Sequence, residues 1–149
     1  MNDTVPGIDY RFSNKALLQE ALTHRSTGPN NYERLEFLGD SILSLVVSQL
    51  LYERFPKADE GDLSRMRARL VRGRTLTEVA AKIDLGKQIR LGQGEMNSGG
   101  IRRSSILADA LEALFGAVLQ DGGYVVCQAV IARLFFPLIE ALPAADTLK

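Results

Sequence analysis

Glu33, Glu36, Asp40 and Ser44 stand at i, i+3, i+7 and i+11, so a helix here would carry them as one polar stripe through an otherwise apolar pattern. Far downstream, Asp109 and Glu112 stand at i, i+3 within Ile106-Leu107-Ala108-Asp109-Ala110-Leu111-Glu112. A helix with acids on one face is usually just solvated there. Two such stripes suggest more, because paired carboxylates from two helices can converge on a hard divalent cation with oxygen ligands alone. Such a site suits magnesium and phosphate chemistry.

The neighbours of the acids are small. Ser105, Ala113 and Gly116 flank Asp109 and Glu112 on a helical wheel, and Gly39 sits beside the first stripe. A mid-helix glycine costs about 1 kcal/mol relative to alanine. Small residues on both helices would let the backbones approach and bring the carboxylates together. Four acids held that close repel strongly unless a cation neutralises them.

The ligand inventory narrows the metal. With one histidine and one cysteine in the chain, a zinc site of ordinary composition is disfavoured. A carboxylate-bridged di-iron oxidoreductase would want two Glu-x-x-His motifs, and neither stripe has one. His24, in Thr23-His24-Arg25-Ser26, reads as a structural residue at a helix end rather than a ligand.

The elements that must position these groups are helical throughout. Ser13 is expected to cap a short helix running to Leu22 and ending near Thr23-His24-Arg25, before the Gly28-Pro29 break. A long helix from about Tyr32 to Phe55 follows, stopped by Pro56. Glu60 to Val71 opens with acids and carries alternating arginines, and Thr75 to Ile83 forms a further short helix. Leu91 to Gly100 reads as a glycine-rich loop. Ile106 to Leu119 is helical and apolar, and Tyr124 to Leu142 is a last helix that Pro137 should bend or split. Strand signals are absent. The reading is an all-α domain over residues 1–142, with 143–149 as the start of a linker.

The bulk numbers agree with one globular unit. The chain has 149 residues, 46% hydrophobic and 24% charged, with 18 basic and 18 acidic side chains and a formal net charge of zero. Polyanion binders are usually basic overall, so nucleic-acid contact would have to come from local patches. Weak affinity with steep salt dependence would follow. The lone cysteine, Cys127, excludes an intramolecular disulfide and sits in an apolar pattern as a small buried hydrophobe. The N-terminus lacks the basic and apolar regions of a secretory signal, and no apolar run approaches the roughly 20 residues that span a bilayer. A soluble cytoplasmic protein without membrane contact is expected.

Arg65, Arg67, Arg69, Arg72 and Arg74 form a basic cluster, and Arg102-Arg103 follow Ser98-Gly99-Gly100. Arginines at helical spacing are commonly paired on the surface, and Glu60 and Asp62 could supply the partners. Arg102 and Arg103, between a glycine-rich stretch and the acidic helix, are placed to hold a phosphate backbone near a metal.

At these residues a specific match emerges. Glu33-Arg34-Leu35-Glu36-Phe37-Leu38-Gly39-Asp40-Ser41 resembles the signature of the ribonuclease III endonuclease domain. Glu60-Gly61-Asp62-Leu63-Ser64-Arg65-Met66-Arg67, Ser98-Gly99-Gly100 and Ile106 to Ala113 follow in the order and spacing of bacterial members, so that the resemblance runs from about Tyr10 to Leu142. It implies a helical domain that forms a symmetric homodimer and cuts double-stranded RNA with magnesium, for which manganese could substitute. By position, Glu36, Asp40, Asp109 and Glu112 would be the metal-binding catalytic acids. Glu33 and Glu60 would position RNA or support the site, Arg65, Arg102 and Arg103 would grip it, and Phe37 would pack into the partner subunit. A catalytically inert RNA-binding or structural relative is the alternative, but such a relative would be expected to lose acids. Bacterial members normally carry a C-terminal double-stranded-RNA-binding domain, so this chain is expected to be a catalytic module excised from a longer protein.

Overall fold

A computed structural model describes residues 2–97 and 104–143. Seven α-helices follow in order: α1 Lys15–Ala21, α2 Glu33–Arg54, α3 Glu60–Val71, α4 Gly73–Lys82, α5 Gln93–Asn97, α6 Ser104–Gly122 and α7 Tyr124–Glu140. Short 3-10 turns lie at Arg25–Thr27 and Leu85–Gln88. No strand occurs among the described residues; Thr23 and Arg90 form one isolated bridge. The domain is all-α.

Helix α6 is the axis of the molecule because it is apolar almost all round, and such a helix has to be interior. Ala110, Leu111, Ala113, Leu114, Phe115, Ala117 and Val118 are fully buried, and α6 packs against α1, α2, α4 and α7. Helix α2 lies against it through Leu35, Ile42, Leu43 and Val46. Cys127 is buried on α7, with its Sγ 3.2 Å from the Phe115 carbonyl, and burial pushes the thiol up to about 12. By length and composition α2 could cross a membrane, although no stretch was expected to qualify. The reason is that a long helix tolerates scattered polar residues and still averages apolar; here Leu35, Ile42, Leu43, Val46, Val47 and Leu51 are buried in the core.

Four details differ from the expected elements. Asn14, not Ser13, caps α1, accepting from the Ala16 N–H at 3.0 Å. The glycine-rich stretch contains the short helix α5. Helix α4 begins at Gly73, ahead of Thr75. Pro137 leaves α7 continuous from Tyr124 to Glu140. The proposed linker at 143–149 falls almost wholly outside the described residues.

Ser13 has another partner. Asp121, near the end of α6, accepts from the Ser13 and Asn14 N–H groups at 2.8 Å each and from the Tyr10 hydroxyl. Burial would raise its carboxyl, but these three hydrogen bonds prevail and hold it below the ordinary range. Asp121→Asn is expected to cost about 1–2 kcal/mol, the scale of a lost cap, read as a shift in the urea midpoint at pH 7. A depressed carboxyl stabilises the fold above its unfolded pKa, so this contribution should fade only as pH falls below about 4. An unshifted midpoint would remove Asp121 from the account of how α1 is anchored.

Candidate active site

The site exists because two glycines let two helices touch. A Cβ built on Gly39 would lie 1.6 Å from the Glu112 carbonyl oxygen, and one on Gly116 would lie 2.2 Å from that of Leu35. Helices α2 and α6 therefore meet backbone to backbone just where the acid stripes face each other. Carboxylate oxygens of Glu36, Asp109 and Glu112 come within 4.8 Å of one another. Asp40, one turn after Glu36 on α2, hydrogen-bonds Glu112 from the exposed side.

The electrostatics match this crowding. Burial, followed by the negative charge of Asp109 and the hydrogen bond with it, pushes Glu36 up to about 7. Burial and the hydrogen bond with Asp40 push Glu112 up to about 8. Asp109 is also raised by burial, against the opposing pull of Glu36, His24 and Arg25. A hydrogen bond between two carboxyl groups needs a proton on one of them. Each pair, Glu36 with Asp109 and Glu112 with Asp40, is therefore held by a shared proton in the metal-free site. A divalent cation placed between these acids can take over the role of such protons. The donor set is all oxygen, which fits magnesium or manganese better than a thiophilic metal.

Beside the acids lies a cavity of about 120 Å³, lined by His24, Tyr32, Glu33, Glu36, Glu95 and Asp109 among others. Burial and the charges of Asp109 and Glu36 hold the Tyr32 phenol far above its ordinary range, so it stays protonated.

The sequence model of the family described as Ribonuclease-III-like matches residues 14–139. The chain belongs to that family. Ribonuclease 3 of Bordetella petrii is 53% identical over 135 residues, covering 91% of this chain and 54% of that protein. Ribonuclease 3 of Thiobacillus denitrificans is 58% identical over 132 residues, covering 89% of this chain and 58% of that protein. The chain spans about half the length of these curated relatives. The crystal structure of the nuclease domain of ribonuclease III from Campylobacter jejuni superposes with a TM-score of 0.86 at 40% identity, covering 92% of this chain and 94% of that one. Dicer from Pichia stipitis matches with a TM-score of 0.69 at 29% identity, covering 95% of this chain and 61% of that one.

Within this ribonuclease-III-like chain the expected site residues divide. Glu36, Asp40, Asp109 and Glu112 come together as the spacing suggested. Glu33 is at the cavity rim, with its carboxylate 3.8 Å from exposed Arg25. Glu60 opens α3, past the far end of α2 from the acids. Arg65 pairs with Asp62 and lines a shallow basic groove with Arg69 and Arg72. Arg102 and Arg103 lie outside the described residues. Phe37 points outward, 79% exposed.

Sequence reasoning did not find Arg25, Tyr32 and Glu95 as neighbours of the acids, whereas the helical wheel did place Ser105 beside Asp109. No spacing rule brings residues 24–25 beside residue 109; only the packing of α1, the loop after it and α6 does so. His24 is indeed a helix-end residue, capping the 3-10 turn at Arg25–Thr27, but it lines the cavity as well.

Proposed function

We propose that this chain is the endonuclease module of a bacterial, cytoplasmic ribonuclease III. It hydrolyses phosphodiesters of double-stranded RNA, with magnesium, to short duplexes bearing 5′-phosphate and 3′-overhang ends, in rRNA and mRNA processing. The observation that carries this reading is the convergence of Glu36, Asp40, Asp109 and Glu112 on two abutting helices. These four would hold the ion. When bound, magnesium polarises the scissile phosphate and makes a coordinated water acidic enough to attack near neutral pH.

The chain's own residues supply the rest. The backbone contact at Gly39 and Gly116 fixes the oxygen donors rigidly. The core under Asp109 and Glu112 (Ala108, Leu111 and Ala113) keeps water off their inner side. Arg65, Arg102 and Arg103 contact phosphates, and Glu33 and Glu60 support the RNA. Double-stranded RNA is read mainly by shape, so sequence preference should be weak.

A symmetric homodimer completes the reading. Exposed Phe37 borders a groove of about 600 Å³ lined by Leu17, Leu35, Leu38 and Gln120. A protruding ring beside a fitting groove is self-complementary under a two-fold axis. For the Campylobacter jejuni nuclease domain, a region involved in dimer formation has been described. From Glu36 to the end of α2 is about 27 Å at 1.5 Å per residue, so Glu60 serves a site only across the dimer. Such an assembly sets two acid sites along one valley, and each strand is cut once.

Phe37→Glu is expected to shift the dimer to monomer at micromolar concentration in analytical ultracentrifugation, while the melting temperature of the metal-free domain stays put. A dimer that survives the charge would remove Phe37 from the interface. The function itself is tested by incubating the chain with a long end-labelled RNA duplex, at low salt, with magnesium. Short duplex products, none of them formed from single-stranded RNA or DNA duplex, are expected. Binding without cutting would support the inert relative instead.

A further inference from the structure

The buried histidine next to the acids is held in one tautomer. His24 Nδ1 accepts from the Ser26 N–H at 3.1 Å and lies 2.8 Å from Ser26 Oγ. That hydroxyl in turn accepts from the Gly92 N–H at 2.7 Å, leaving its own proton for Nδ1. A ring nitrogen that accepts from a backbone amide carries no proton, so the neutral ring must carry its proton on Nε2.

The surrounding loops are built to keep this arrangement. His24 N–H bonds to the Arg90 carbonyl at 2.9 Å, Arg90 N–H to Leu22 at 2.7 Å, and Tyr32 N–H to Thr23 at 2.9 Å. A Cβ on Gly92 would lie 2.4 Å from the Ser26 carbonyl oxygen, so this close approach needs glycine. The ring packs edge-to-face on Tyr32, with centroids 5.6 Å apart, and is only 5% exposed. With Nδ1 occupied, Nε2–H is the polar group left to the ring, and His24 lines the cavity together with Glu36 and Asp109.

We infer that His24 is a positioning residue for Asp109, its Nε2–H fixing that carboxylate across the cavity through a hydrogen-bonded water. The cavity, about 120 Å³, has room for a few waters at about 30 Å³ each. Outer partners that orient a metal-binding carboxylate typically change metal affinity or activity about 10–100-fold when removed. His24 and Arg25 both lie close enough to Asp109 to interact with its carboxylate. The inference rests on reading Asp109 as a ligand in the proposed nuclease site.

Two substitutions separate this role from capping. In His24→Asn the side-chain oxygen can still accept from the Ser26 N–H, but no donor reaches the Nε2 position. In His24→Gln the amide N–H reaches that position, but the cap is lost. The measurements are manganese affinity by electron paramagnetic resonance, kcat and KM on the RNA duplex, and melting temperature. His24→Asn should melt like the parent yet bind manganese at least about 10-fold more weakly and lose kcat rather than raise KM. His24→Gln should recover most of the manganese affinity despite a lower melting temperature. Parent-like affinity in His24→Asn would overturn the inference, as would losses in both variants that merely follow their melting temperatures. If the parent chain itself does not cut RNA, the nuclease reading fails, and the manganese affinities still decide the role of His24.

Discussion

Glu112→Gln is expected to lower the rate of RNA cleavage by about 10²–10³-fold, on the scale of removing one preorganised electrostatic contact from a reacting centre. The same substitution should raise the melting temperature of the metal-free protein. Both effects come from one cause. Glu112 lies among three other acids on a helix that is otherwise core, and burial with the Asp40 hydrogen bond lifts it to about 8. A carboxyl raised above its unfolded value near 4.3 stabilises the fold fully only below that value. The contribution is lost as pH rises through about 8, once the folded group gives up its proton. The metal-free domain should therefore lose stability between about pH 5 and 8, and the variant, with no proton there to lose, should show a flatter profile.

In the proposed nuclease, magnesium would offset this penalty by taking the place of protons on the raised carboxyls. Half-saturating magnesium should fall as pH rises from 6 to 8, and calorimetry in two buffers of different ionisation enthalpy should register protons released on binding. Scanning melts at several pH values, with and without magnesium, check all of this. A Glu112→Gln protein that cuts like the parent would remove Glu112 from the reaction. A parent whose metal-free stability does not change across that pH range would show that the acids are not crowded as described.

The second large effect concerns a residue with no side chain. Gly39→Ala would place a methyl group 1.6 Å from the Glu112 carbonyl oxygen, and the obstacle is backbone, which cannot swing aside. Helices α2 and α6 must separate, reopening the most extensive packing in the domain. Overpacking of this kind costs about 3 kcal/mol or more, against a total stability of roughly 5–15 kcal/mol. At about 2–4 °C per kcal/mol for a domain of this size, the melting temperature should fall by roughly 6–12 °C or further. Manganese affinity should fall as well, because the separation that relieves the methyl also parts Glu36 from Glu112. Gly73→Ala, where a Cβ meets nothing within 4 Å, is the control and should leave both quantities unchanged. If Gly39→Ala bound manganese like the parent, close backbone contact would not be what assembles the site.

How far the sequence alone reaches can be judged from particular residues. Helical periodicity located α2, α3, α6 and α7, because an amphipathic or wholly apolar repeat leaves a chain few other ways to bury its side chains. Spacing also showed that Glu33, Glu36 and Asp40 share a face, as do Asp109 and Glu112, and the small residues Gly39 and Gly116 marked where two helices could meet. Local chemistry was less legible where a distant group competed. Ser13 looks like a helix cap, but Asp121, 108 residues from it, holds the N–H groups of both Ser13 and Asn14. In the chain path this sets, it is the Asn14 side chain that accepts from the first turn. Pro137 looks like a break, but the packing of Phe135 and Ile139 into the core carries α7 through it. The cavity partners His24, Tyr32 and Glu95 were out of reach for the same reason. Patterns that repeat along one helix are written in the sequence, since the backbone itself enforces 3.6 residues per turn. Which loop lies beside which helix depends on long-range packing, whose free energy no local stretch contains, and only the folded chain decides it.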